Sequence, residues 1–153
     1  MVKDAVFLLL LFTCTFTDLK KRLIYNHVLL PALLLGFLLA GVEGGLQGLK
    51  QSGAGLALGF LLLALPYYLG GMGAGDVKML ATIGALQGPQ FTFHTFLSSA
   101  LIGGVWALVH LVRQKKLTLL TGKVASTDTL PYGAILALGA LFTYIGGGWA
   151  TLK

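Results

Sequence analysis

Five acidic residues occur in the 153-residue chain, and two of them, Asp18 and Asp76, are flanked by apolar sequence. Asp76 closes the glycine-rich run GGMGAGD, and Lys78 follows two positions later. Asp18 ends the first apolar run and is followed by Lys20, Lys21 and Arg22. The other acids have plainer settings. Asp4 lies near the start of the first run, Glu43 lies between two later runs, and Asp128 stands in TGKVASTDTL as a helix-start residue. Two carboxylates brought together in a low-dielectric site cannot both ionise cheaply, so such a pair tends to share one proton. The ionised member can then take a proton from water while the protonated member polarises a carbonyl. That is peptide hydrolysis by general acid–base catalysis, with no metal and no covalent intermediate.

The glycines before Asp76 suit this chemistry. Glycine lets the backbone approach a substrate strand closely and adopt positive φ without steric cost. Gly71, Gly73 and Gly75 equally read as a tight inter-helix turn, with Asp76 as the cap of the following helix. Capping accounts for Asp76 but says nothing about Asp18.

The elements that must position these acids are apolar. The composition is 56% hydrophobic and only 10% charged, with a mean hydropathy of +0.86, far too apolar for a soluble domain of this size. The expectation is an all-α, polytopic membrane protein forming one domain over residues 1–153, with six candidate spans at roughly 4–18, 26–42, 51–69, 77–89, 91–112 and 130–151. The fourth is shorter than the roughly 20 residues of a perpendicular span, so it either extends back into the Asp76 loop or is shielded by its neighbours. QGPQ, Gln87 to Gln90, separates the fourth span from the fifth. Glycines recur inside the third and sixth spans, as close helix–helix approach in lipid requires. A signal peptide is not the preferred reading of Ala5 to Phe16, because DLKKRL follows it in place of small-residue cleavage chemistry.

The net charge of +6 gathers in clusters between spans, which points to membrane topology and away from nucleic acid. Lys20, Lys21 and Arg22 follow the first span, Lys78 opens the fourth, and Arg113, Lys115, Lys116 and Lys123 lie between the fifth and sixth. The alternate connections are poor in positive charge. This bias puts the first, third and fifth connections in the cytoplasm and both termini on the outer face, in a multi-pass inner (plasma) membrane protein. Asp18 and Asp76 then emerge on one side, and they can meet if the first and fourth spans pack together.

At this point the residues resemble a family. Gly73-Ala74-Gly75-Asp76 followed by Val77-Lys78 resembles the GxGD motif of the type IV prepilin peptidases, intramembrane-type aspartic proteases. The family's first aspartate lies in a D-x-x-x-R-x-I-P-N context. Asp18, Arg22, Ile24 and Asn26 fall at the matching places, with Tyr25 where the family often has proline. PYGAIL, Pro131 to Leu136, resembles the family's P-[YF]-G segment. The resemblance implies Asp18 and Asp76 as catalytic dyad, with Gly73, Gly75, Lys78, Arg22, Asn26, Pro131, Tyr132 and Gly133 in supporting or substrate-binding places. It implies cleavage of a prepilin-like leader just after a glycine, at the cytoplasmic face, without a cofactor. The substrate's apolar helix would stay in the bilayer. Larger members carry an added N-terminal region, usually with paired cysteines, and also methylate the new N-terminus. This chain starts almost at the Asp18 span and has the single cysteine Cys14. It therefore resembles the short, peptidase-only form, like those serving Flp/Tad-type pili or archaeal flagellin-like proteins.

The supporting residues also have ordinary explanations. Lys78 and Arg22 either tune the dyad and contact an acidic substrate residue, or simply anchor the cytoplasmic face. Asn26 and His27 are expected to hydrogen-bond across the opening of the second span. Cys14, as a lone cysteine, excludes an internal disulfide and reads as a packing residue. His94 and His110 are too far apart for a helical metal pair, so no metal site is expected. Tyr67, Tyr68 and Trp149 read as boundary aromatics. Three rivals remain: a transporter or channel using the acids as a cation or proton site, an assembly protein whose acids pair with Lys78 or Arg22, and a presenilin-like GxGD protease. PYG and the early position of Asp18 argue against the last.

Overall fold

The computed structural model describes residues 2–121 and 132–147. They form five helices in chain order: α1 (Val2–Lys21), α2 (Asn26–Tyr68), α3 (Ala74–Gln87), α4 (Pro89–Thr121) and α5 (Tyr132–Gly146). Among the described residues there is no strand, so the all-α expectation holds. Polar side chains within these apolar helices are satisfied locally. In α1 the hydroxyls of Thr13, Thr15 and Thr17 donate to the carbonyls of Leu9, Leu11 and Thr13 at 2.7, 2.7 and 3.0 Å.

The second and third expected spans lie within α2, which is interrupted at Gly45 (φ 53, ψ −137). That left-handed φ is open to glycine at no steric cost, and the chain folds back on itself there. Leu29 and Leu33 of the first limb share a groove with Leu56 and Phe60 of the second, as two antiparallel rods require.

The fourth expected span is α3, shifted towards its N-terminus: it runs from Ala74 to Gln87 and takes Asp76 into its first turn. With 14 residues it is about 21 Å long, well short of a hydrocarbon core of about 30 Å. Burial resolves the mismatch. Residues 79–86 of α3 are buried throughout, and both limbs of α2, α1, α4 and α5 surround the helix. Gly55 of α2 and Gly84 of α3 stand back to back, each carbonyl occupying the place a Cβ on the other would need. This is the close approach that glycines in the third span lead one to expect.

α3 ends at Gly88 (φ 86), and α4 starts at Pro89, so the QGPQ break falls where the sequence indicates. α4 then continues to Thr121, past the expected end at 112. No glycine or proline occurs between Gly104 and Gly122, and Arg113, Lys115 and Lys116 prolong the helix instead of opening a loop. α5 covers Tyr132–Gly146 of the expected sixth span. Pro131, Asp128, Lys123 and Trp149 lie outside the described residues.

The core draws on all five helices. Phe7, Leu10 and Cys14 pack with Met79, Ile83, Leu86, Phe91 and Ala140, and the Phe7 and Phe91 rings meet edge to face at 5.3 Å. The exterior is apolar too: Phe12, Leu38, Leu61, Leu101 and Phe142 are each at least 65% exposed, more apolar surface than a soluble monomer tolerates. By length and composition two helices, Asn26–Tyr68 and Pro89–His110, suffice to cross a membrane.

Candidate functional site

Asp18 stands in the last turn of α1. Arg22 stops that helix in a left-handed conformation (φ 51), with its N–H donating to the Asp18 carbonyl at 2.8 Å. A non-glycine residue there costs about 1–2 kcal/mol. The turn sends Leu23, Ile24 and Tyr25 back across the end of the bundle. Tyr25 holds φ −82 and ψ 131 at the cap of α2, close to what a proline ring imposes, so its replacement of the family's usual proline leaves the backbone path intact. Its ring stacks on His27 at 5.1 Å.

Asp18 is 6% exposed, and its Oδ2 accepts the Ala134 N–H at 2.9 Å. Ala134 is in the first turn of α5, where N–H groups lack intrahelical partners and the helix dipole favours negative charge. Gly133, immediately before it, is needed here: a Cβ would stand 2.9 Å from both Cγ and Oδ2 of Asp18.

Asp76 is 7% exposed, and its Oδ2 accepts the Gly73 N–H at 3.1 Å, which closes the first turn of α3. The capping role is therefore real, but it is not the whole setting. Ile24 lies against both Gly75, next to Asp76, and Gly133, which abuts Asp18, and α1 and α3 are in contact. Two carboxylates 58 positions apart thus come to one end of the bundle, each held by a peptide N–H.

The glycine run works differently from the expectation of positive φ. Within the run Gly70–Gly75, only Gly70 has it (φ 76). Gly73 has φ −81, and there the missing side chain matters: a Cβ would come within 3.3 Å of Asp76 Oδ2. Gly75 would press a Cβ to 3.0 Å from Ile24.

Lys78 is exposed and its Nζ donates to Asn26 Oδ1 at 3.2 Å, tying the start of α2 to α3. This is the bond expected of Asn26 across the helix opening. Tyr132 begins α5 and, with Met72 of the glycine loop, lines a cavity of about 390 Å³ between α2, α4 and α5. His110 stacks on Trp106 at 5.0 Å, and His94 lies beside Phe93. Among the described residues no three His, Cys, Asp or Glu side chains converge as metal ligands would. Two participants were not singled out from sequence. Ala134 contributes only a backbone N–H, which no residue type announces. Ile24 entered only as a motif position, although an isoleucine between a basic cluster and a polar helix start was a visible signal.

An all-helical protein with an apolar exterior and a pair of buried carboxylates at one end is the class that fold and site define. The chain belongs to the type IV leader peptidase family, whose model matches residues 5–108, a stretch holding both acids. It is similar to a prepilin leader peptidase/N-methyltransferase of Bacillus subtilis, 33% identical over 93% of this chain and 54% of that protein. Relatives of the same description in Dichelobacter nodosus and Stutzerimonas stutzeri are 31% and 30% identical over 93% and 88% of this chain, and over 48% and 46% of their own lengths. The chain spans about half the length of these curated relatives. No solved structure matches the chain.

Proposed function

We propose that the protein is a membrane aspartic endopeptidase that removes the leader peptide of a prepilin-like precursor, with Asp18 and Asp76 as the reacting pair. The observation that carries this reading is the placement of two buried carboxylates, from the contacting helices α1 and α3, at one end of an apolar-surfaced bundle, in a chain of this family. In the proposed reaction the ionised carboxylate takes a proton from water as the water oxygen attacks the scissile carbonyl carbon. The protonated carboxylate donates to the carbonyl oxygen. The tetrahedral intermediate then collapses: the C–N bond breaks, the leaving amine receives the proton first taken from water, and a hydroxyl proton of the intermediate returns to the carboxylate that had donated to the carbonyl oxygen. The backbone N–H bonds from Ala134 and Gly73 fix the orientation of both acids.

The supporting roles follow from placement. Gly73 and Gly75 keep side chains away from Asp76 and Ile24, and Gly133 does the same for Asp18. Lys78 and Asn26 brace α3 against α2. Arg22 makes the turn after Asp18. Six crossings are proposed, two of them the limbs of α2, with both termini outside and the acids at the cytoplasmic boundary of an inner membrane. α3 is shielded from lipid by the other segments. The precursor's apolar helix would lie in the bilayer while its leader enters from the cytoplasm.

The test is the purified protein with a membrane-embedded prepilin-type precursor and mass measurement of the products. Cleavage at a single peptide bond, lost in both Asp18→Asn and Asp76→Asn with folding intact, is the expected result. Full cleavage by either variant would remove the dyad.

A further inference from the structure

We propose that Ile24 is a positioning residue that sets the gap between the two acids, by wedging its side chain between the glycine before Asp76 and the glycine before the peptide N–H that holds Asp18. The inference rests on the two-acid peptidase reading above. Ile24 sits in the turn between α1 and α2, half-buried against the hydrophobic core. A Cβ at Gly75 would stand 3.0 Å from Ile24 Cβ, and one at Gly133 would stand 2.9 Å from Ile24 Cδ1. The near end of this side chain therefore touches the start of α3 and the far end touches the start of α5. Gly75 immediately precedes Asp76. Gly133 immediately precedes Ala134, which donates to Asp18 Oδ2 at 2.9 Å.

The chain entering this wedge is fixed at both ends. The Arg22 N–H is bonded to the Asp18 carbonyl at 2.8 Å, and the Tyr25 carbonyl accepts from Val28 and Leu29 at 3.1 and 3.3 Å. Ile24 thus cannot slide along its own backbone without disturbing Asp18 or α2. Its β-branched side chain has few rotamers, which makes it a stiff spacer. Two acids acting on one water need a fixed separation, and a misplacement near 1 Å costs on the order of 10²-fold in rate. Ile24 contains no group that can exchange a proton, so its part is geometric.

The experiment measures kcat, KM and the pH profile of precursor cleavage by the full chain. The variants are Ile24→Val, Ile24→Ala, Gly133→Ala and the double variant Gly133→Ala with Ile24→Val, with Asp18→Asn and Asp76→Asn in parallel. Ile24→Ala is expected to lower kcat on the order of 10²-fold with KM unchanged. The acid and alkaline limbs of its pH profile should spread apart, because carboxylates freed to approach each other couple more strongly. Ile24→Val, which lacks Cδ1, should lose less. It should also soften the loss caused by Gly133→Ala, since the methyl that the new Cβ meets is gone. That compensation keeps the test decisive even where Ile24→Ala fails to fold.

Wild-type kcat and unmoved limbs in folded Ile24→Ala would overturn the proposal. An equal Gly133→Ala penalty in both backgrounds would do so as well. The two failures are separable. Cleavage by either Asp→Asn variant removes the dyad and the spacer together, whereas dead Asp variants beside an unaffected Ile24→Ala remove only the spacer.

Discussion

At one end of the bundle Asp18 and Asp76 are 6% and 7% exposed, and each accepts a peptide N–H. At the other end the side chains of Lys3 and Glu43 are 23% and 51% exposed and pair at 2.8 Å. Lys3 and Asp18 are fifteen positions apart on α1, about 22 Å of helix rise. α3 runs antiparallel beside it, from Asp76 at the first end to Gln87, which shares a polar cavity of about 280 Å³ with Lys3 and Asp4. The same two helices therefore build both ends. At the first, the acids are withdrawn from water and held by donors that carry no net charge. At the second, a lysine neutralises the acid in water, and the pair is a surface ion pair.

The largest expected effect separates the ends outright. Asp18→Asn or Asp76→Asn should slow leader cleavage by about 10²–10⁴-fold, the usual weight of general acid–base catalysis, with the thermal midpoint little changed. Glu43→Gln should leave the rate untouched. Product mass spectrometry over a time course reads both arms, and a comparable loss from Glu43→Gln would erase the distinction drawn between the ends.

Next comes Ala134→Pro, which removes the N–H that holds Asp18. Proline is tolerated in a first helical turn, where that N–H has no intrahelical partner, so the helix should survive. A hydrogen bond to a charged group is worth about 1.5–3 kcal/mol, so kcat/KM should drop by one to two orders of magnitude. Unchanged kcat/KM would mean that Asp18 does not need this donor.

Gly84→Ala asks whether the two ends are mechanically joined. The new Cβ would run into the Gly55 backbone midway along α3, and overpacking of this kind costs about 1–3 kcal/mol. The midpoint should fall while activity per folded molecule is kept. Activity lost beyond the folded fraction would show that a shift of α3 reaches Asp76.

Much of this arrangement was visible in the sequence. Apolar runs and their charged or glycine-rich breaks located the helices, because hydrophobic length and turn chemistry are local properties. Asp18 and Asp76 stood out because ionisable residues are scarce in such a chain. For the short fourth span the sequence left open extension back into the Asp76 loop or shielding by its neighbours, and packing brings both about, the extension through a carboxylate that finds the Gly73 N–H. What stayed hidden is the continuation of α4 past 112, which depends on helix propensity outlasting hydrophobicity. Ala134 contributes a backbone N–H, which has no signature in residue chemistry, whereas Ile24 was visible as an apolar residue between a basic cluster and a polar helix start.

The smallest effect bears on the exposed end. Lys3–Glu43 joins α1 to the turn region of α2 at 2.8 Å, but exposed pairs of this kind contribute about 0–1 kcal/mol and are screened by salt. Lys3→Gln, Glu43→Gln and the double variant should each shift the unfolding free energy by less than about 1 kcal/mol. A double-mutant cycle at low ionic strength should give a small coupling that vanishes at high salt. The same cycle leaves Asp18 and Asp76 untouched, so cleavage should not change in any of the three. A coupling of several kcal/mol that resisted salt would mean that this pair is desolvated as the two acids are. The contrast between the ends would then lie in the donors alone, a lysine at one and peptide N–H groups at the other.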